Sequence, residues 1–113
     1  MDTFTRVDPF TRMDPYTPLF HWVLEGTGST STALAYGIVW RLAQLRDGCC
    51  DAACGRMAGA LGWTRQRLMR HLRVLCEGGY LVCRNPEAVG VTRRYIPLTR
   101  AQWRRRQALR RAA

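Results

Sequence analysis

The chain has 113 residues, 47% of them apolar. That is enough for one domain with a modest core and excludes a largely disordered chain. No apolar run approaches the roughly 20 residues that a membrane-spanning helix needs, so no membrane partner is expected. The formal net charge is +10, and all 18 basic residues are arginine. Codon bias in a GC-rich genome is one source of that usage. The guanidinium is also the side chain best shaped for bidentate contacts to phosphate and guanine. Residues 1–55 carry a net charge of −2 and residues 56–113 a net charge of +12. So polarised a surface fits a polyanionic partner. The five cysteines, Cys49, Cys50, Cys54, Cys76 and Cys83, are odd in number. Two are adjacent, and no signal-peptide pattern precedes them. Reduced thiols in a cytoplasmic, nucleoid-associated protein are the expectation.

Residues 1–18 open with a hexapeptide repeat: Asp, any residue, aromatic, Thr, any residue, apolar. It recurs from Asp2, Asp8 and Asp14. A period of six suits neither helix nor strand, and the prolines break both. An extended arm is expected. Two readings stand: the arm's aromatic residues dock on a protein partner or neighbouring subunit, or the arm is a duplicated tail upstream of a start at Met13. Residues 19–98 follow as the main domain. Leu19–Leu24 is a short apolar run, a helical turn or strand, in which His21 has no acidic or cysteine neighbour and reads as structural. Residues 25–32 form a Gly/Ser/Thr loop that supplies a helix cap, Ser31 or Thr32.

A first main helix is expected from about Ala33 to Arg46. Leu34, Ile38, Leu42 and Leu45 mark its buried face, widened by Val39. Gly37 inside it points to a close helix–helix contact, and Tyr36 and Trp40 to core or dimer contacts. Asp47-Gly48 ends the helix, and residues 49–53 are a short link. A second helix spans about Cys54 to Leu61, burying Met57, Ala58 and Leu61. Gly62-Trp63 makes a turn, and Thr64 caps a third helix.

In that third helix Leu68, Leu72 and Leu75 must face the core. At about 100° per residue the opposite side carries Gln66, Arg70 and Arg73, with Arg67 and Met69 beside them and Arg65 nearer the core edge. An ordinary solvated face would mix acids and bases; this one has no acid between Thr64 and Cys76. After Gly78-Gly79, Tyr80–Arg84 and Thr92–Leu98 read as two strands of a hairpin joined by residues 85–90. Residues 99–113 complete the chain. Thr99 and Gln102 form a capping box for a basic helix from about Arg100 to Arg111, with Trp103 as its packing anchor.

Helix, helix, turn, capped helix and hairpin in this order resemble the winged helix-turn-helix of bacterial and phage DNA-binding proteins. The likeness covers residues 33–98 and is strongest from Met57 to Leu81, in Met-Ala-x-x-Leu-Gly-x-Thr followed by Leu-x-x-x-Leu-x-x-Leu and Gly-Tyr-Leu. Residues 16–61 also resemble the N-terminal part of some plasmid and phage replication proteins. The fold implied is mostly α with a small β-hairpin wing, plus the N-terminal arm and the basic C-terminal helix. The resemblance implies that the third helix enters the major groove of double-stranded DNA. Arg65, Gln66, Arg67 and Arg70 then face the bases, with Arg73 on the same face, while Thr64 and the helix N-terminus meet a phosphate. It assigns Arg84, Arg93 and Arg94 to the wing. His71, where helix surface meets core, has either a phosphate or a structural partner.

The function implied is a small transcriptional regulator, expected as a homodimer on a palindromic site. A replication-initiation or mobile-element accessory factor, or a protein-binding adaptor in a nucleoprotein complex, are the alternatives. An enzyme is not expected: with two histidines, there is no nucleophile–base pair, carboxylate pair or phosphate-binding glycine loop. No cofactor is expected. Cys49, Cys50 and Cys54 lack a Cys-x-x-Cys knuckle, so zinc is not expected either.

Overall fold

The computed structural model describes residues 16–85 and 93–112. The hexapeptide repeats up to Pro15, and residues 86–92 with most of the turn expected at 85–90, lie outside them. The described chain is mostly helical with one small antiparallel hairpin. The helices are α1 (His21–Thr27), α2 (Thr30–Gln44), α3 (Cys54–Leu61), α4 (Arg65–Glu77) and α5 (Arg100–Ala112). The strands are β1 (Leu81–Cys83) and β2 (Tyr95–Pro97). No helix among the described residues is long and apolar enough to cross a membrane.

The core is built around α2. Its Ala33, Ala35, Tyr36, Ile38, Val39 and Ala43 are all buried, together with Val23 of α1, Met57 and Ala58 of α3, and Leu68, Leu72 and Leu75 of α4. The leucine face expected for α2 is wrong in part. Leu34 and Leu42 are half-buried and Leu45 is exposed. Because α2 is covered on most sides, its alanines and Tyr36 take the closest contacts and its leucines are left to the rim. Tyr36 donates a 2.6 Å hydrogen bond to the Leu98 carbonyl, which ties the helix to the end of β2.

The start of α2 also differs. It begins at Thr30 rather than Ala33, and the cap is Ser29, whose hydroxyl accepts from the Thr32 N–H at 3.1 Å. Ser31 and Thr32 lie inside the first turn of the helix, and their hydroxyls meet α4 instead, as shown below. Gly37 is not at a helix–helix crossing. Residues 16–20 run along α2 without regular structure, and a Cβ at Gly37 would collide with the Pro18 carbonyl oxygen. Tyr16 lies over Arg41 with its ring centroid 4.5 Å from the guanidinium carbon. The described end of the arm therefore docks on α2. His21 is exposed and plays no part in the core.

The α3–α4 pair follows the sequence closely. Met57 and Ala58 are buried, while Leu61 is half-buried. Gly62 turns the chain in a left-handed conformation, φ 71°, where a side chain would be strained. Thr64 caps α4 by accepting from the Arg67 N–H at 3.2 Å. That satisfies one of the free donors of the first turn.

In the hairpin, Leu81 pairs with Pro97, Val82 with Ile96, and Cys83 with Tyr95. Residues 49–53 are more than a link. Cys50 and Tyr95 exchange backbone hydrogen bonds, both 2.8 Å, as an isolated antiparallel bridge. The residues before α3 thus lie on the free edge of β2. Finally, α5 starts with a reciprocal capping box: the Thr99 N–H donates to Gln102 Oε1 at 2.8 Å, and the Gln102 N–H to Thr99 Oγ1 at 3.2 Å.

Candidate nucleic-acid interface

The buried leucine seam fixes the rotation of α4. Arg65, Gln66, Arg67, Arg70 and Arg73 are all exposed as a result. They fall into three groups by what lies beside them. On one side, α4 meets the start of α2. Arg67 reaches Ser31 with a 3.1 Å hydrogen bond to its hydroxyl and stacks over Trp63, guanidinium carbon to ring centroid 4.3 Å. His71 packs against the same Trp63 ring, centroids 5.1 Å apart, and its Nδ1 lies 2.9 Å from the buried Thr32 hydroxyl. Burial, and then the Arg67 and Arg70 charges, hold the His71 pKa below its ordinary 6.5. The imidazole is thus kept neutral as a bridge between α2 and α4.

On the other side, α4 meets the hairpin. Met69, Arg73 and Cys76 line a cleft with Cys83, Arg93 and Tyr95. Burial raises the Tyr95 hydroxyl to about 12, against an opposing hydrogen bond from Arg93. Burial likewise raises the Cys76 thiol to about 11, which disfavours a reactive thiolate there. Between these flanks, Gln66, Met69, Arg70 and Arg73 line a shallow open groove. It is the outermost surface of the helix.

The three hairpin arginines do not share one face. Strand alternation places Arg93 on the same face as Tyr95 and Cys83, toward α4. Arg84 and Arg94 share the opposite face. They border a depression that also contains Arg46, Asp47 and Asp51. The period-two pattern Arg93-Tyr95-Pro97 against Arg94-Ile96 carries this division in the sequence, once Tyr95 is known to be inward. Arg46 pairs with Asp51 at 3.3 Å. Among the described residues, no arginine of α4, the hairpin or α5 forms an ion pair with a carboxylate.

Trp103 packs as the anchor expected from sequence, and Gln107 and Arg110, which were not nominated, join it. The α5 helix rests on the C-terminus of α4 through Trp103, Gln107 and Arg110. Trp103 Nε1 donates to the Gly78 carbonyl at 2.9 Å, Gln107 Nε2 to the same oxygen at 3.2 Å, and Arg110 to the Glu77 carbonyl at 3.5 Å. The carbonyls left free at a helix end are thereby satisfied. Trp103 also stacks on Tyr80 at 5.2 Å and lies 5.8 Å from Trp22. The spacing 103, 107 and 110 is one helical face, a signal present in the sequence.

Among the described residues, no three His, Cys, Asp or Glu side chains gather as a metal site. Cys50 is buried with its thiol 3.7 Å from the Met57 sulfur. No protein-family model, curated protein or solved structure matches the chain.

Proposed function

We propose that the protein binds double-stranded DNA through the outer face of α4 and acts as a small transcriptional regulator. One observation carries this reading. The leucine seam holds α4 against the core while Gln66, Arg70 and Arg73 stand outermost, with no acidic partner among the described residues. A surface arginine cluster without counter-charge is costly in self-repulsion and gains most from a polyanion. Arg can fork onto guanine O6 and N7, and Gln can pair with adenine N6 and N7.

The flanking residues have distinct roles in this reading. Arg67 is held by Ser31 and Trp63, so it presents its charge in a fixed place beside the start of α2 and suits a backbone phosphate. Thr64 and the first N–H groups of α4 offer a second phosphate contact. Arg65 stands exposed beside them. Arg93, on the α4 side of the hairpin, extends the same surface. His71 is a positioning residue, since its imidazole is engaged with Thr32. Arg84 and Arg94, beside Asp47 and Asp51, lie off this surface and contribute long-range attraction only.

The test is duplex binding with site selection. Arg70→Ala and Gln66→Ala should each weaken binding to the selected site by a factor corresponding to about 1–3 kcal/mol and relax base preference at one position. If both variants bind that site as the parent does, α4 is not the reading helix. Capture of an acidic protein with no duplex binding would favour an adaptor instead.

A further inference from the structure

The helix α5 is unusual among the elements of this fold: none of its residues is buried. It touches the rest of the chain along the single face that holds Trp103, Gln107 and Arg110. Such a helix has little apolar burial to hold it in shape. Yet it carries six arginines and no acid between Arg100 and Arg111.

Their angular placement is informative. At about 100° per residue, Arg100, Arg104 and Arg111 form a stripe on one flank of the docking face. Arg106 lies on the other flank. The side facing away from the protein carries Ala108, Ala101, Ala112 and Arg105 in turn, with Leu109 and Gln102 between these and Arg106. Charge therefore stands on both flanks, with three alanines, Arg105 and the exposed Leu109 between them. A single row of phosphates would need charge on one flank only. Two rows with a cleft between, as on either side of a duplex groove, match both flanks, and the alanines let the helix backbone approach closely. The B-form major groove is wide enough to admit a helix, whereas the deep groove of A-form RNA is not.

We infer that α5 is a second nucleic-acid-binding element: it lies along a groove of duplex DNA, its flanking arginines on the two phosphate rows. On its outward side Ala101, Ala108 and Ala112 offer the bases no hydrogen-bonding group and Arg105 is the one charged side chain, so α5 adds affinity more than sequence preference. This rests on the proposal that the protein binds duplex DNA, but not on α4 being the reading helix. The hydrogen bonds from Trp103 and Gln107 to Gly78 fix α5 to the far end of α4. At about 1.5 Å per residue that end is about 20 Å from Thr64. The protein then covers more of the duplex than α4 can reach.

The experiment compares the full chain with Arg104→Gln/Arg106→Gln/Arg111→Gln and, separately, Ala108→Glu. Both leave Trp103, Gln107 and Arg110 in place, and far-UV circular dichroism with tryptophan emission verifies that α5 is still formed and docked. Binding is measured to a selected duplex and to an unrelated duplex over a range of salt. The triple variant should lose affinity for both duplexes by the same factor, and its salt slope should fall by about 0.9 for each lost phosphate contact. Ala108→Glu should weaken both equally, and the footprint should shorten. An unchanged affinity and slope would overturn the inference. So would losses confined to single-stranded RNA or to an acidic peptide. Arg70→Ala run in parallel separates the two proposals, since it should change the preference between duplexes and the α5 variants should not.

Discussion

Gly37 and Gly59 are both helical glycines, and their surroundings give them opposite consequences. A Cβ at Gly37 meets the Pro18 carbonyl, whereas one at Gly59 meets nothing. Gly37→Ala should destabilise the fold by about 1–3 kcal/mol, as overpacking does. Gly59→Ala should stabilise it by about 0.4–1 kcal/mol. Urea denaturation of the two variants checks both signs. His71 gives a pH signature. Its folded pKa lies below 6.5, so the unfolded chain takes up its proton first as pH falls. The stability from the neutral imidazole is complete above pH 6.5 and declines as the pH drops from there through the folded pKa. His71→Gln should remove that part of the slope below pH 6.5, seen as the difference between the two denaturation series. At this scale the sequence was legible where a residue's partner is near in the chain. The Thr64 cap and the Thr99–Gln102 box lie within three residues. It was not legible where a distant partner competes. Ser31 and Thr32 are good caps by type, but the helix starts before them, with Ser29 as cap, and their hydroxyls meet Arg67 and His71.

Among the elements, α4 was the most legible and α2 the least, for one physical reason. A helix with one buried face shows its period, and the leucines of α4 do so without exception. A helix covered on most sides shows none, and side-chain size then follows local distance rather than a repeat. That is why Ala35, Ala43 and Val39 line the interior of α2 while Leu45 is at the surface. The seven-residue α1 lacks a side-chain cap altogether, which left helix and strand unresolved in the sequence. Two changes test elements as units. Thr64→Ala should cost about 1 kcal/mol through loss of the cap, read as a lower denaturation midpoint. Trp103→Ala removes the stacked ring and one of the two donors to Gly78. It should release α5, with a loss of helical ellipticity at temperatures where α2 to α4 remain folded.

Across the whole molecule, charge and topology were legible to different depths. The sequence located the positive half of the chain and the exposed face of α4. It could not divide the hairpin arginines, because which strand face points inward is set by the packing of Tyr95 against residues far away in the chain. Duplex affinity should fall steeply with added salt, with a log–log slope near −0.9 per phosphate contacted. A slope near zero would contradict a phosphate-dominated interface. The two hydrogen bonds between Cys50 and Tyr95 join residues on opposite sides of the α3–α4 pair in the sequence, and they set how the molecule opens. Local opening at the outer end of the strand pair can release the Arg84 amide, which donates to the Arg94 carbonyl, together with the neighbouring Arg94–Asn85 hydrogen bond. The Cys50 and Tyr95 amides can exchange with solvent deuterium only when the second strand parts from the chain that enters α3. Their exchange should therefore slow to the rate set by global unfolding, while Arg84 exchanges by a local opening of far lower free energy.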